Sequence, residues 1–321
     1  MSVLTVSQLS VGFATEQGAL EVISDLSLTI ASGETLGLVG ESGCGKSLTA
    51  TAIMGLLPKP HGQILSGDIQ LLGESLLSST EARRRQHRGQ DMAMVFQEPM
   101  TALNPVQPVG RQLAEIYQIH RPNWSSTQIR SRIVSNLKAV GIQDPESRLS
   151  AYPHELSGGM RQRIMIAMAL SLEPKLLICD EPTTALDVTI QAQVLDLIRN
   201  LTREHGTAVL FITHDLGVIA ELADRVCVMY GGQLCEERAV DALFSDPWHP
   251  YTQGLLDSIP RLDHTPRTRL QTIDGQVPQA GQFPDGCRFR QRCTRASVAC
   301  HETPPFTDGV ACFHPGETRH A

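Results

Sequence analysis

Long apolar stretches are missing from this sequence of 321 residues. Apolar runs such as Leu176–Cys179 and Ala208–Ile212 are far shorter than the ~20 residues that a membrane-spanning helix needs. The N-terminus also lacks the basic start and the apolar segment of a signal peptide. We therefore expect a chain that does not cross a membrane by itself and stays in the cytosol, where disulfides are poor explanations for its eight cysteines.

An excess of positive charge and an internal repeat are missing too. Acidic residues (34) modestly outnumber basic ones (27), so the formal charge of -7 gives no general reason to expect a nucleic-acid partner. The basic run Arg83–Arg88 is the one local candidate for nucleic-acid binding, and it is typical of a solvated surface face.

The apolar content of 41% is enough for one large domain or two smaller ones.

Short β-forming runs recur along the chain, and several are followed by helical patterns, which predicts an α/β core with some parallel strands. The runs are Val3–Leu9, Leu26–Ile30, Thr35–Val39, Met92–Phe96, Leu176–Cys179, Val209–Ile212 and Val226–Tyr230. After the last run, Gly231-Gly232 followed by Gln233–Glu236 predicts a β-hairpin.

Helical patterns fill the stretch that has few strand signals, from Glu98 to Met160, so we expect a helical subdomain at about residues 98–160. Within it, a helix is predicted between Ser125 and Gly141, with Ser125 or Ser126 as N-cap. Another helix is predicted after Asp187. Prolines multiply beyond residue 245, which predicts a C-terminal extension over residues 246–321.

A phosphate-binding loop is predicted between the apolar strand Thr35–Val39 and the helical run Leu48–Leu57. It consists of Gly40, Glu41, Ser42, Gly43, Cys44, Gly45, Lys46 and Ser47. The glycines let backbone N–H groups converge on phosphate oxygens at a helix N-terminus. Lys46 adds a cation for the β- and γ-phosphates, and the Ser47 hydroxyl is a ligand for Mg²⁺.

Cys44 lies within this loop and has two interpretations. A helix N-terminus tends to lower a thiol pKa, in which case alkylation of Cys44 would block nucleotide binding. The alternative is an inert small residue that fills a tight turn.

Two carboxylates, Asp180 and Glu181, follow the apolar strand Leu176–Cys179. Adjacent acids can divide the work of hydrolysis, with Asp180 holding Mg²⁺ and Glu181 polarising the attacking water. Alone the pattern is weak, but together with the phosphate loop it predicts an ATPase.

The run Leu156-Ser157-Gly158-Gly159-Met160-Arg161-Gln162 resembles the signature motif of ATP-binding-cassette (ABC) ATPases, and the resemblance covers the chain from about residue 3 to its end. It implies a P-loop (RecA-like) ATPase core with an antiparallel β subdomain and the inserted helical subdomain, over residues 1–245. In this family the signature motif of one subunit completes the nucleotide site of another, so Ser157, Gly158 and Gly159 would contact ATP across a dimer.

The same resemblance implies roles for four further residues. Gln97 matches the glutamine that senses Mg²⁺ and water and contacts the membrane subunits, and Asp187 matches the D-loop. His214 matches the switch histidine at the γ-phosphate, and Phe13 the aromatic that stacks on adenine. Ordinary alternatives are a helix cap for His214, a loop position for Gln97, a helix start for Ser157-Gly158-Gly159, and an edge-strand core residue for Phe13.

The end of the chain, from the run Pro247–Leu256 through the cysteine-rich tail, is similar to the C-terminal extension of oligopeptide and dipeptide importer ATPases. This resemblance implies an ATPase on the cytoplasmic face of the plasma membrane, with a second homologous ATPase subunit, two membrane permeases and an extracytoplasmic solute-binding protein. Peptide is the favoured cargo, while nickel, glutathione and opine importers share the extension.

Four cysteines, Cys287, Cys293, Cys300 and Cys312, have the spacing C-x5-C-x6-C-x11-C, which matches neither zinc ribbons nor common ferredoxins. Four nearby thiols in a reducing compartment still indicate a metal. The arginines between them, Arg288, Arg290, Arg292 and Arg295, are expected to favour thiolates. The resemblance implies a [4Fe–4S] cluster, while zinc and unliganded thiols remain alternatives.

Two other functions remain open. One is a nucleic-acid-linked ABC ATPase, although this chain lacks the long coiled coil or second cassette that such proteins usually carry. The other is a metal-sensing or redox-sensing cassette protein, for which only the four-cysteine tail argues.

Overall fold

The chain folds into two compact units in this computed structural model, which describes residues 2–16, 18–97, 102–184, 187–259 and 272–316. The helical unit consists of Ala31–Glu34 and Ser78–Leu210. The strand-rich unit consists of Ser2–Ile30, Thr35–Leu77 and Phe211–Ala321. The start predicted for the helical subdomain, at residues 98–101, lies outside the described residues, and the domain boundaries stay predictions.

The described strands and helices are numbered here in chain order. The strands are β1 (Ser2–Thr15), β2 (Gly18–Ala31), β3 (Thr35–Val39), β4 (Gly62–Leu71), β5 (Glu74–Ser75), β6 (Met92–Val95), β7 (Leu176–Asp180), β8 (Ala208–Thr213), β9 (Arg225–Tyr230) and β10 (Gln233–Ala239). The helices are α1 (Lys46–Ile53), α2 (Glu81–Gln90), α3 (Val109–His120), α4 (Ser126–Ala139), α5 (Pro145–Arg148), α6 (Gly158–Leu170), α7 (Val188–His205), α8 (Leu216–Leu222), α9 (Val240–Ser245) and α10 (Pro250–Asp257).

One sheet of the strand-rich unit has the order β2-β1-β4-β5, and β1 pairs antiparallel with β4 from Leu4 opposite Leu71 to Phe13 opposite Gly62. Sequence reasoning missed β4 and β5. Gly67 interrupts the alternating pattern of β4 at φ 91°, where its backbone lies so close to Gln8 that a Cβ would stand 2.4 Å from the Gln8 carbonyl oxygen. A glycine at such a close backbone contact hides a strand from a periodicity argument.

The other strands of this unit form the core that carries the phosphate loop. β3 pairs parallel with β9, and β9 pairs antiparallel with β10. The predicted hairpin is confirmed, since Gly231 and Gly232 link β9 to β10 with φ of 55° and 81°. Such positive φ values are what a two-residue hairpin turn demands.

In the helical unit β6 and β7 are parallel neighbours, paired from Met92 with Leu176 to Val95 with Cys179. Every residue of both strands is buried. Strands that are covered on both faces read as continuous apolar runs, which is why these two were visible in the sequence. Parallel pairing places their carboxyl ends at the same edge of the sheet. Gln97 follows the end of β6, and Glu181 follows the end of β7.

Helix α4 confirms the predicted N-cap at Ser125. The Ser125 hydroxyl accepts a hydrogen bond from the Gln128 N–H at 3.3 Å, and the Gln128 side chain accepts one from the Ser125 N–H at 2.8 Å. This reciprocal pair is a capping box.

Across the described ranges, none of the helices has the length and apolar character needed to span a bilayer.

Replacing Ser125 with alanine should lower the free energy of unfolding by about 1 kcal/mol, because the first turn of α4 loses its cap. Urea denaturation followed by circular dichroism measures this change. Ser126→Ala is the matched control, since Ser126 is exposed and already helical, and it should change stability by less than about 0.5 kcal/mol. Equal losses in the two variants would contradict the capping assignment.

Candidate nucleotide site

The phosphate loop leaves β3 at Gly40 and enters α1 at Lys46. Gly40 has φ 155°, and a Cβ there would lie 2.2 Å from the Met229 carbonyl oxygen. Gly45, the N-cap of α1, has φ 106°. Glycine is therefore required at both ends of the loop, for close backbone approach at the first and for conformation at the second.

Lys46 is 5% exposed, and its ammonium group donates to the carbonyl oxygens of Gly40 at 2.7 Å and Glu41 at 3.1 Å. The cation is thus held inside the loop at the N-terminus of α1, the arrangement that binds phosphate. Ser47, the next residue, is exposed in the first turn of α1.

The reactive-thiol hypothesis for Cys44 is wrong. Cys44 is 1% exposed, and burial raises the pKa of its thiol, an effect that the nearby Lys46 reduces without reversing. A buried, protonated thiol is a poor nucleophile, which favours the inert interpretation. Its carbonyl has a structural role, because it accepts the Gly232 N–H at 2.9 Å.

Two other predicted site residues lie in the strand-rich unit. His214 is exposed directly after β8, and the helix that follows is capped by Asp215, whose carboxylate accepts the N–H groups of Gly217 and Val218 at 2.8 and 3.4 Å. The capping alternative for His214 is therefore wrong. Phe13 is partly exposed in β1, and its contact with adenine stays a prediction.

In the helical unit the carboxyl ends of β6 and β7 bring Gln97 and Glu181 together. The Gln97 amide donates to Glu181 Oε2 at 3.2 Å, and the Thr184 hydroxyl donates to the same oxygen at 2.9 Å. Glu181 has φ 45°, a left-handed conformation that costs a non-glycine residue about 1 to 3 kcal/mol and concentrates at functional sites. Asp180, just before it, is 4% exposed.

The signature motif begins helix α6, and Ser157 is its N-cap, accepting the Met160 N–H at 3.3 Å. The predicted helix-start role is confirmed and is compatible with a nucleotide contact. Sequence reasoning missed Gln162, which is fully buried and donates from its side chain to the Pro182 carbonyl. This bond connects the signature helix to the turn that carries Glu181.

Asp187 caps helix α7, where its carboxylate accepts the Ile190 N–H at 2.9 Å. Among the predicted residues, the helical unit therefore holds Gln97, Ser157, Gly158, Gly159, Asp180, Glu181 and Asp187, and the strand-rich unit holds Phe13, the phosphate loop and His214. Their convergence on one nucleotide stays a prediction.

The four tail cysteines line one small cavity in the strand-rich unit, of about 10 Å³, whose wall also includes His249, Phe289 and Phe313. Burial raises the pKa of Cys287 and Cys293, and it raises that of Cys312 to about 11. In the described part of the chain, no group of three or more His, Cys, Asp or Glu residues is placed to hold a metal ion.

The expectation that the tail arginines favour thiolates is wrong for most of them. Arg288 donates to the Gly231 carbonyl, Arg290 bonds His301 at 3.0 Å, and Arg292 pairs with Glu41. Arg295 lowers the pKa of Cys293, and the backbone N–H of Arg290 lowers that of Cys287, but burial outweighs both effects.

Two known protein families match the sequence of this chain. The ABC transporter family matches residues 23–184, and the C-terminal region of oligopeptide/dipeptide transporters matches residues 235–300. This chain belongs to the ABC transporter ATPase family. The phosphate loop and the Asp180-Glu181 pair both fall within the first match.

Curated relatives of this ABC ATPase are similar over nearly their whole length. A probable peptide ABC transporter ATP-binding protein of Sinorhizobium fredii is 49% identical over 97% of this chain and 92% of its own. The oligopeptide transport ATP-binding protein AppD of Bacillus subtilis is 48% identical over 95% and 92%. The dipeptide transport ATP-binding protein DppD of the same organism is 48% identical over 94% and 90%.

Solved ABC structures share the fold. The dimeric cassette MJ0796 aligns with a TM-score of 0.66 at 24% identity, over 74% of this chain and 98% of that one. The protein cbiO1 of Clostridium perfringens, part of the transporter complex cbiONQ, aligns with a TM-score of 0.63 at 26% identity, over 76% and 90%.

Glu181→Gln should bind ATP but hydrolyse it at least ~10²-fold more slowly, because glutamine cannot accept the proton of the attacking water. Phosphate release measures turnover, and a fluorescent ATP analogue measures binding. Glu204→Gln changes an exposed glutamate at the end of α7 and should hydrolyse at the normal rate. Near-normal turnover in Glu181→Gln would remove Glu181 from the chemistry.

Proposed function

We propose that this chain is the ATP-hydrolysing subunit of a bacterial ABC importer that takes up dipeptides or oligopeptides. The observation that carries the proposal is the pairing of an ABC cassette with a C-terminal region of the oligopeptide/dipeptide transporter type. Relatives named for peptide, oligopeptide and dipeptide transport support the same cargo, at 48 to 49% identity along nearly the whole chain.

The residues divide the hydrolysis of ATP as follows. Lys46 and the N–H groups of the phosphate loop bind the phosphates, and Ser47 and Asp180 would hold Mg²⁺, which offsets phosphate charge when bound. Buried Asp180 and exposed Ser47 are the hard oxygen ligands that this ion prefers. Glu181 accepts the proton of the attacking water.

Two further residues have a role in hydrolysis in this proposal, one at Glu181 and one at the γ-phosphate. Gln97 orients its carboxylate through the 3.2 Å hydrogen bond, and His214 contacts the γ-phosphate. A carboxylate that is held by two donors and a strained backbone is preorganised for proton transfer.

We propose that two such ATPase subunits, identical or homologous, sandwich ATP between the phosphate loop of one and the signature motif of the other. Gly158 supports this arrangement. Its side of helix α6 is exposed, its φ is not left-handed, and a Cβ there would meet no described atom within 4 Å. Nothing described within the chain therefore requires glycine at this position, whereas close approach of a partner and its nucleotide would.

The remaining partners follow from the importer assignment. Two membrane permeases would bind the ATPase pair at the cytoplasmic face and contact Gln97, and a solute-binding protein would deliver the peptide. Nucleic acid is not expected as a partner. Arg84 and Arg88 of the basic run pair with Glu81 at 3.1 and 2.5 Å, which supports the interpretation of α2 as a solvated helix face.

The ATPase rate should rise when the chain is reconstituted in proteoliposomes with its permeases, and rise again when binding protein and a dipeptide or oligopeptide are added. DNA and RNA should leave the rate unchanged. Uptake of labelled peptide, with nickel and glutathione as competitors, measures the cargo. Stimulation by nucleic acid together with no response to permeases would favour the nucleic-acid-linked alternative.

We further propose that Cys287, Cys293, Cys300 and Cys312 ligate a [4Fe–4S] cluster. All four line one cavity, and the N–H groups of Arg295 and His314 point at the sulfurs of Cys293 and Cys312 at 3.4 and 3.3 Å. Hydrogen bonds to sulfur stabilise cluster thiolates. A [4Fe–4S] cluster is held by four cysteine thiolates, and these four thiols supply that number of ligands.

Anaerobic purification should yield a brown protein with about four irons and four acid-labile sulfides per chain, the composition of one cluster. Cys293→Ser should lose most of the iron, because it removes one thiolate ligand. Cys227→Ala, which changes a buried cysteine of β9, should retain it. A colourless protein with stoichiometric zinc would establish the zinc alternative, and a metal-free one would leave the thiols unliganded.

A further inference from the structure

Glu41 is the second residue of the phosphate loop, and each of its polar groups forms a hydrogen bond with another residue. Its N–H donates to the Tyr251 hydroxyl at 2.8 Å, and its carbonyl accepts the Lys46 ammonium at 3.1 Å. Its carboxylate receives two hydrogen bonds from Arg292, Nη1 to Oε2 at 2.6 Å and Nη2 to Oε1 at 3.0 Å. The carbonyl also accepts the Cys44 N–H at 3.3 Å, and two of the four partners, Tyr251 and Arg292, lie beyond residue 245, where the C-terminal extension is predicted.

The pair of Arg292 and Glu41 has the features of a strong ion pair. It is bidentate, and the Arg292 side chain is only 6% exposed while that of Glu41 is 30% exposed. A fork of two parallel hydrogen bonds fixes direction as well as distance. Breaking such a shielded pair leaves a charge without its partner, which costs much more than the loss of an exposed pair.

Arg292 cannot follow Glu41 if the loop shifts, because other contacts fix the guanidinium. It donates to the carbonyl of Asp274 at 2.8 Å and to that of Gly275 at 3.2 Å, and it lies 5.7 Å from the centre of the Tyr230 ring. The backbone N–H of Arg292 donates to the backbone carbonyl of Phe289 at 2.9 Å.

Phe289 in turn packs into the core of the strand-rich unit. Its ring centre lies 5.1 Å from that of Tyr230 in β9 and 5.3 Å from that of Tyr251 in α10. These contacts therefore fix Arg292 in place, and Arg292 in turn holds the Glu41 carboxylate.

A phosphate loop binds ATP only when its N–H groups converge on the phosphate oxygens, so the path of the backbone at Glu41 controls affinity. Lys46, which must reach the β- and γ-phosphates, is itself bonded to the carbonyls of Gly40 and Glu41. We propose that Arg292 is a positioning residue for nucleotide binding, which holds the Glu41 carboxylate and through it the phosphate loop in the conformation that binds ATP.

A purely structural role for Arg292 gives a different expectation. Its bonds to the carbonyls of Asp274 and Gly275 stabilise the extension whatever residue stands at position 41. Stability should therefore depend on Arg292 in any background, whereas ATP affinity should depend on it only when Glu41 is present. A double-mutant cycle separates the two roles.

The experiment uses the full-length chain and measures the dissociation constant of Mg·ATP, by competition with a fluorescent ATP analogue, together with the urea midpoint of each variant. Arg292→Gln should weaken ATP binding by about tenfold, the effect of losing one charged hydrogen-bonded pair. In the Glu41→Gln background the same change should weaken binding less than about twofold, while the urea midpoint still falls.

Matched variants complete the design. Arg130→Gln removes an exposed ion pair with Glu146 on the surface of the helical unit and should leave ATP affinity unchanged. Arg292→Lys keeps the charge but loses the fork, so it should give an intermediate affinity, and it replaces Arg292→Gln if that variant does not fold. Wild-type affinity in Arg292→Gln, or an equal loss in both backgrounds, would overturn the proposal.

Discussion

The close approach of two backbones, where Gly40 meets the carbonyl of Met229, is the constraint on which the nucleotide loop depends. Only a residue without a side chain can pass at that distance, so the loop crosses the end of β9 along one path. The hydrogen bond from Gly232 to the Cys44 carbonyl fixes a second point further along the loop. With both points fixed, the conformational freedom that remains lies between them, and Glu41 is the residue where further contacts restrict it.

The carboxylate of Glu181 is held by a different set of contacts. Gln97 reaches Glu181 from the end of β6, Thr184 reaches it from the same turn, and Gln162 reaches the neighbouring Pro182 carbonyl from the signature helix. A shift of helix α6 would therefore change the position of the turn that carries Glu181. The signature helix and this turn are connected within one unit through the buried side chain of Gln162.

The parts of the fold that were predictable from the sequence are those with a local physical cause. The phosphate loop, the buried strands β6 and β7, the β9–β10 hairpin and the capped helix α4 each combine a short pattern with a steric or hydrogen-bonding requirement. Strands β4 and β5 were missed because Gly67 serves a contact with a distant strand and breaks the local period. The two interpretations of Cys44 could not be separated from the sequence for a related reason, since burial depends on tertiary packing while the helix N-terminus beside the thiol is visible in sequence.

The tail arginines show the same limit. Their clustering among cysteines predicted an effect on thiols, yet Arg288 and Arg292 reach backbone and carboxylate partners far away in the chain. No short pattern connects Arg292 to Glu41.

That separation has a consequence for biosynthesis. The partners of Glu41 lie 210 and 251 residues downstream, so most of the polypeptide must leave the ribosome before either contact can form. Contacts this distant in sequence form late and slowly, because a long loop must close first. The nascent chain would therefore have a phosphate loop that is only partly restrained. The loop would reach its full ability to bind nucleotide after the segments that carry Tyr251 and Arg292 have packed against it.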